Sequence, residues 1–330
     1  MFAAKLARAL FAFLISAALA PGVSLAQPFP SKPIRIVLGY SPGGGMDNLA
    51  RLYSPKLQEL LGTPIIIENR PGATELLAAQ FVQNSAPDGY TLWIGSGGAL
   101  AQGPGVRTDL PYHPLKNFTP VALVAEMEAV VLVRSALPIH TMGELVSYAK
   151  ANPGKVNYAS AGIGSANHLT IEYLMAKAGG SMTHVPYKGD ADAIRDLMGG
   201  NVDIIMTPAQ TAVAFVKDGK LRPIAVTGSQ RLKALPEVPT IAESGVPELK
   251  TAVDSYTFYG LMGPKGMPPA VVQRINEAFN KVGAMPEVAN WLRDVSLRPY
   301  NVSPTALSEY IDKNLTNYQL LRGKVKVGTS

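Results

Sequence analysis

The sequence predicts an α/β protein of two lobes, each a doubly wound and mainly parallel sheet, with a hinge cleft between them. Three observations carry that reading. The chain has 330 residues, about twice the roughly 150 of an ordinary domain. Short apolar runs alternate with amphipathic stretches in a β-α-β-α-β rhythm that begins after Pro33 and restarts near Val130; such a rhythm implies parallel strands joined by right-handed crossovers. A strand, a Gly/Ser-rich loop and a helix follow one another once in each half, at Leu38 to Asp47 and at Ala159 to Asn167.

Taken in order, Lys5 and Arg8 precede the apolar run Ala9 to Ala20, which Pro21-Gly22 breaks. The run is too short for a bilayer and suits a signal peptide over 1–26. Small residues in Ser24-Leu25-Ala26 place cleavage before Gln27, and a retained anchor helix is the alternative. Ile34 to Leu38 reads as a strand ended by Gly39 and the loop Ser41-Pro42-Gly43-Gly44-Gly45. Leu49, Leu52, Tyr53, Leu57, Leu60 and Leu61 recur at helical spacing before Gly62. Ile65 to Ile67 is a strand, Leu76 to Val82 a helix and Thr91 to Ile94 a strand. In the second half, Val130–Val133, Val156–Ala159, Thr183–Val185, Asp203–Met206 and Pro223–Val226 read as strands. Ala166–Ala178 and Ala191–Met198 read as helices, and Thr141 with Glu144 has capping-box spacing. Ser255–Leu261 is a further strand, and Ser303-Pro304 starts a terminal helix. The lobes are expected at 27–127 plus 251–330 and at 128–250, joined by two chain crossings.

Composition narrows the function. There are 30 Lys+Arg against 24 Asp+Glu, and Lys5 and Arg8 account for two of the six excess charges. With no Lys/Arg run, nucleic acid is not a partner. The absence of Cys removes disulfides, thiolate catalysis and cysteine metal sites. Gly162-Ile163-Gly164-Ser165-Ala166-Asn167 begins like a dinucleotide fingerprint but ends in Asn, and no P-loop occurs. His113, His140, His168 and His184 lack metal-ligand spacing. Ser96 sits outside a G-x-S-x-G elbow, and Ser165 with His168 has no orienting acid in sequence. No catalytic residue, cofactor or metal is therefore assigned, and a Ser96- or Ser165-dependent hydrolase is the rival reading.

What remains is the pair of strand-end loops. Glycines let a backbone approach a ligand, and a helix N-terminus presents free N–H groups with the positive end of the dipole. Such loops hold anionic oxygens, and in open α/β sheets ligands bind at strand C-termini. A looser version occurs at Ile94 to Gly98 and another at Tyr187 to Asp190. Candidate ligand-binding residues are Tyr40, Ser41, Gly43, Gly44, Met46 and Asp47 on the first loop, and Ser96 and Gly97. The later loop adds Ser160, Ala161, Gly162, Ser165 and His168, with Asp203 beyond. Asp47 serves equally as a helix cap, and Asp203 as a turn residue. Lys188 and Arg70 are the nearest cations by motif. Tyr256 and Tyr259 either wall the cleft or pack.

Several segments together identify a family. Tyr40 to Asp47, Glu68-Asn69-Arg70-Pro71-Gly72-Ala73, Pro87 to Leu92, Asn152 to Gly162, Gly164-Ser165, His168-Leu169, His184 to Gly189 and Leu235 to Thr240 occur in one order. In these the chain resembles the substrate-binding proteins of tripartite tricarboxylate transporters, the Bug family, over nearly its whole length. The resemblance implies a periplasmic binding protein of Venus-flytrap form, type II-like. It implies a small organic carboxylate held between the lobes by loop amides, hydroxyls and waters, delivery to inner-membrane permease subunits, and a monomer. A sensory role, presenting the closed form to a receptor, needs the same architecture. Three departures stand out. Met46 replaces a small polar residue, Tyr259 stands where Trp is frequent, and Thr74-Glu75-Leu76-Leu77 replaces a Gly-rich continuation after Gly72-Ala73. Met46 and the tyrosines would suit a less polar or aromatic acid.

Overall fold

The computed structural model describes residues 29–187, 189–252 and 256–325. The expected signal peptide and its cleavage site, Lys188 and Ser255 lie outside the described residues. Met1–Ser31 and Lys32–Ser330 are separate compact units, and every element below belongs to the second.

Two sheets form the frame. In the first, β1 (Ile34–Leu38) lies between β2 (Ile65–Asn69) and β3 (Thr91–Ser96), both parallel to it. Next to β3 run β10 (Thr257–Pro264), β4 (Phe118–Met127) and β11 (Leu297–Pro299), giving the order β11-β4-β10-β3-β1-β2. In the second, β6 (Asn157–Ser160) pairs in parallel with β7 (Thr183–Pro186) and β8 (Ile204–Pro208). β5 (Ala129–Arg134) and β9 (Leu221–Val226) close it in the order β7-β6-β8-β5-β9. The expectation of mainly parallel sheets holds for β2-β1-β3 and β7-β6-β8 and fails beyond them. β10 is antiparallel to both β3 and β4, and β5 to both β8 and β9. The reason is connectivity: neither β10 nor β5 is joined to its neighbours in the sheet by a strand–helix–strand crossover, the connection that makes strands parallel.

The helices read from the sequence form, and three it did not place, Ala209–Lys217, Pro269–Ala284 and Pro286–Asp294, join them. α1 (Gly45–Leu61) buries Leu49, Tyr53, Leu57 and Leu61, and Gly62 ends it in a left-handed conformation. α2 is Leu76–Gln83 and α3 Met142–Ala151. At α3 the expected box is half formed. The Thr141 hydroxyl accepts from Glu144 N at 3.1 Å, but the Glu144 carboxylate accepts from His140 N at 2.6 Å, one residue earlier than the box requires. α4 (Ala166–Ala178), α5 (Asp190–Gly199) and α6 (Ala209–Lys217) belong to the second sheet's layer. α7 (Pro269–Ala284), α8 (Pro286–Asp294) and α9 (Pro304–Gln319) complete the described chain. No helix among the described residues is long and apolar enough to cross a membrane.

The lobes meet through a buried polar knot. Gln102 Nε2 lies 3.1 Å from the Tyr318 hydroxyl, 3.3 Å from Tyr256 O and 3.4 Å from Thr170 Oγ1. Thr170 and Tyr318 hydroxyls are 3.0 Å apart. Thr170 stands on α4 and Tyr318 on α9, so the terminal helix locks onto the second lobe. Val106, Tyr256, Tyr318 and Leu321 join that lobe's apolar core.

Candidate functional site

The first-lobe loop is held from within. Asp47, almost fully buried, accepts from Gly43 N at 2.9 Å, from Arg51 Nε at 2.8 Å and from Asn69 Nδ2 at 3.0 Å. The Arg51 guanidinium, with the Gly43 and Asn69 donors, holds its pKa at about 2. Of the two roles open to Asp47, the contacts are those of a loop clamp. Asn69 also donates to Tyr40 O at 3.0 Å, which fixes the residue before the loop. Ser41, Gly43 and Gly44 are exposed, whereas the Met46 side chain is buried. Gly97 is buried because a Cβ there would fall 2.7 Å from Thr257 Oγ1, so close packing of β3 on β10 accounts for it.

Ser96, expected as a donor to ligand, instead faces Glu75. The Ser96 amide donates to both carboxylate oxygens of Glu75, at 3.2 and 3.3 Å, and the Ser96 hydroxyl donates to Oε1. Trp93 Nε1 donates to Oε2 at 3.3 Å. The Tyr40 hydroxyl donates to Ser96 Oγ at 3.4 Å. Glu75 is 1% exposed. Burial pushes its pKa up to about 7, against the pull of its Ser96, Tyr40 and Trp93 donors. Gly39 makes room for it: a Cβ at that position would lie 2.4 Å from Glu75 Cγ. Thr74 and Glu75 have φ of 53° and 69°, left-handed values that cost a non-glycine residue on the order of 1–2 kcal/mol each.

The second-lobe loop is built on Asn167 and two imidazoles. Asn167 Oδ1 accepts from Ala161 N at 3.2 Å and from the Ser165 hydroxyl at 2.7 Å, while Nδ2 donates to Asp190 at 3.0 Å. Ser160, fully buried, lies 2.6 Å from His184 Nε2 and donates to Gly162 O at 3.1 Å. His168 Nδ1 accepts from Gly164 N at 3.0 Å, and its ring stacks on His184 with centroids 3.9 Å apart. Burial first, then the neighbouring His184, lowers the His168 pKa to about 4; burial lowers His184 as well. Both rings are thus neutral supports of the loop. The Ser160 and Ser165 hydroxyls turn into the loop, which differs from the expectation that they point at a ligand.

The start of β10 joins the two clusters. Tyr256, buried, bonds the backbone of Asn167, and its phenol is raised by burial and by the charge of Asp190. Tyr259, also buried, is pushed up to about 12 by burial and then by Glu75. Asp203 is not part of this assembly. It accepts from Arg134 Nε at 2.7 Å and from Asn157 N at 2.9 Å, at the N-terminal ends of β6 and β8, opposite the Ser160 loop. Arg70 pairs with Glu68 and lies 3.6 Å over the Phe81 ring, a structural placement. Neither Ser96 nor Ser165 hydrogen-bonds an imidazole among the described residues, and Ser160, which does, is sealed from solvent. No group of three or more metal-ligating side chains occurs among the described residues. Surface cavities of about 490 and 580 Å³ lie elsewhere, one beside Arg107, His113 and Arg322 and one on the outer face of α3.

The sequence profile described as "Tripartite tricarboxylate transporter family receptor" matches residues 49–325. The chain belongs to this family. Among this receptor's relatives, the "UPF0065 protein in gbd 5'region" of Cupriavidus necator is 36% identical over 295 residues, covering 88% of this chain and 86% of that protein. Two solved structures from Rhodopseudomonas palustris superpose on the receptor. Rpa4515 with adipate is 30% identical with TM-score 0.70, covering 89% of this chain and 97% of that one. MatC with bound malate is 31% identical with TM-score 0.69, covering 88% and 99%. The receptor is therefore a periplasmic solute-binding protein with the two-lobed fold of that class.

The candidate residues named from the sequence omit four side chains that hold these loops together: Glu75, Asn167, His184 and Asp190. Asn167 had a signal, as the residue that broke the dinucleotide pattern. His184 was visible only as part of a family segment, because its partner Ser160 is 24 positions away on a neighbouring strand.

Proposed function

We propose that the receptor captures a small organic carboxylate in the periplasm and hands it to the membrane permease of a tripartite tricarboxylate transporter. The malate and adipate held by its structural neighbours support the ligand chemistry. The observation that carries the reading is the N-terminus of α4. This 13-residue helix begins at the end of β6, has no acidic residue in its first turn, and its N-cap Ser165 makes no side-chain cap. Its dipole is therefore met only by a neutral asparagine, and a ligand carboxylate completes it. Ser41, Gly43 and Gly44 on the other lobe, with Tyr40 and Ser96, contribute the opposing wall. The lobes, 27–127 with 251–330 and 128–250, close on the ligand about the Gln102–Tyr318 knot. A ligand favours the closed form only by touching both. The reading needs no covalent step: among the described residues the serine beside an imidazole, Ser160, is fully buried. The exported chain begins at Gln27 and works as a monomer.

The test is a melting series with four- to six-carbon carboxylates, followed by small-angle scattering. A cognate acid at a hundred times its dissociation constant adds about 2.7 kcal/mol of stability, raises the melting temperature and shrinks the radius of gyration. A melting temperature unmoved by every acid overturns the ligand class. A shift without compaction overturns closure alone.

A further inference from the structure

One carboxylate of this chain already occupies the place where the first lobe would grip an anion. Glu75 takes the Ser96 N–H at 3.2 and 3.3 Å and the Ser96 hydroxyl proton. Ser96 thereby has neither proton left for a ligand. What it retains is oxygen lone-pair density, to which Tyr40 donates at 3.4 Å. On the neighbouring loop the Gly43 N–H is likewise taken, by Asp47 at 2.9 Å. No Lys, Arg or His forms an ion pair with Glu75 among the described residues, though it is 1% exposed. An unpaired carboxylate is costly to bury. Here it is kept at a left-handed backbone position where Gly39 must lack a side chain. The second lobe differs: its helix α4 meets the loop with no acid in the first turn. Its nearest carboxylate, Asp190, accepts from Asn167 and from Thr207 Oγ1 at 3.2 Å.

We infer that Glu75, acting through Ser96, sets the ligand class: the receptor takes a monocarboxylate whose far end is a hydrogen-bond donor, an amine or primary amide, rather than a dicarboxylate. This rests on the carboxylate-binding reading and deepens it. The carboxylate goes to the second lobe, and the donor goes to the Ser96 oxygen and the Tyr40 hydroxyl. Glu75 is a positioning residue. Its two oxygens fix which way the Ser96 hydroxyl points, and a second carboxylate brought to Ser96 finds an acceptor there and not a donor.

The test is calorimetry at pH 8 with adipate, adipamate, 6-aminohexanoate and adipamide, and with the four-carbon set succinate, succinamate, 4-aminobutanoate and succinamide. At the preferred length the monoamide and the amino acid bind at least tenfold tighter than the diacid, and the diamide, lacking the carboxylate, loses binding. In Glu75→Gln the side-chain N–H donates to Ser96 Oγ and frees the hydroxyl proton, so the amide-to-diacid ratio falls to parity or inverts. Acid does the same in the wild type, since a protonated Glu75 also donates to Ser96. The ratio falls between pH 8 and pH 6, and this arm decides the matter if the variant does not fold. The groups facing Glu75 are Trp93, Ser96 and the phenols of Tyr40, Tyr112 and Tyr259, all three raised, so none titrates in that range. A diacid bound as tightly as the monoamide at pH 8, or a ratio that neither Glu75→Gln nor pH moves, overturns the inference and leaves carboxylate capture standing. Failure of every carboxylate in both sets overturns that reading and this one together.

Discussion

Glu75 shows how a single side chain escapes a sequence reading. Its partners Trp93 and Ser96 are 18 and 21 positions away, and its left-handed backbone contradicts what Glu prefers. The one legible trace was that Thr74-Glu75 stands where the family resemblance led to the expectation of a Gly-rich continuation. Asp203 erred in the other direction. An Asp opening a strand looked available, yet Arg134 and the Asn157 amide claim it. The Gly39–Glu75 contact yields a direct prediction. Gly39→Ala places a methyl 2.4 Å from Glu75 Cγ and 2.8 Å from its Cα, and overpacking of this kind costs about 1–3 kcal/mol. The variant should melt lower in a thermal scan, and adding Glu75→Gly should restore it by removing both the clash and the left-handed strain. A Gly39→Ala protein as stable as the parent would mean that the two residues do not crowd one another.

Elements were legible where a local signal sufficed. Ser303 accepts from Ala306 N at 3.1 Å with Pro304 at the first helical position, as the dipeptide indicated. Thr240 and Glu243 form a complete capping box, although their spacing passed unnoticed within a proline-rich stretch. The ten-residue strand β4 was missed altogether, for a physical reason: Pro120 interrupts its apolar run, and proline argues against a central strand. The structure accommodates it where the β4–β10 register shifts, opposite Met262. Because α9 carries Tyr318 into the knot between lobes, its cap reaches further than one helix. Ser303→Ala should cost about 1 kcal/mol, measured as a lower urea midpoint with an unchanged slope. A smaller slope would show instead that the helix has detached and the transition is no longer two-state.

At the scale of the whole molecule, two buried groups pull stability in opposite directions. Glu75, raised from 4.5 to about 7, contributes stability that is complete below pH 4.5 and lost as pH rises to 7. His168, lowered from 6.5 to about 4, contributes stability that is complete above pH 6.5 and lost as pH falls to 4. Each swing is about 3 kcal/mol by linkage, so the parent's melting temperature should vary little between pH 4.5 and 6.5. Glu75→Gln should unmask a curve that rises with pH, and His168→Asn, which keeps an acceptor for Gly164 N, one that falls. Parallel curves for all three proteins would show that neither group titrates as described. Asp190 and Glu128 are raised like Glu75 and add to the falling arm, and His184, lowered like His168, adds to the rising one, while Asp47, at about 2, acts below this window.

The strand order of the first sheet has a consequence for how the chain assembles itself. β10, from residues 257–264, lies between β3 and β4, and among the described residues β4 pairs only with β10 and β11. Every strand of the second sheet, by contrast, comes from one stretch between 129 and 226. A chain emerging from its N-terminus therefore completes the second lobe first, while β4 waits without a neighbour for more than a hundred residues. Loop-closure entropy slows such distant pairings. In pulsed hydrogen exchange during refolding, amides of β5, β6 and β8 should become protected before those of β4, so that the lobe begun first is the lobe finished last.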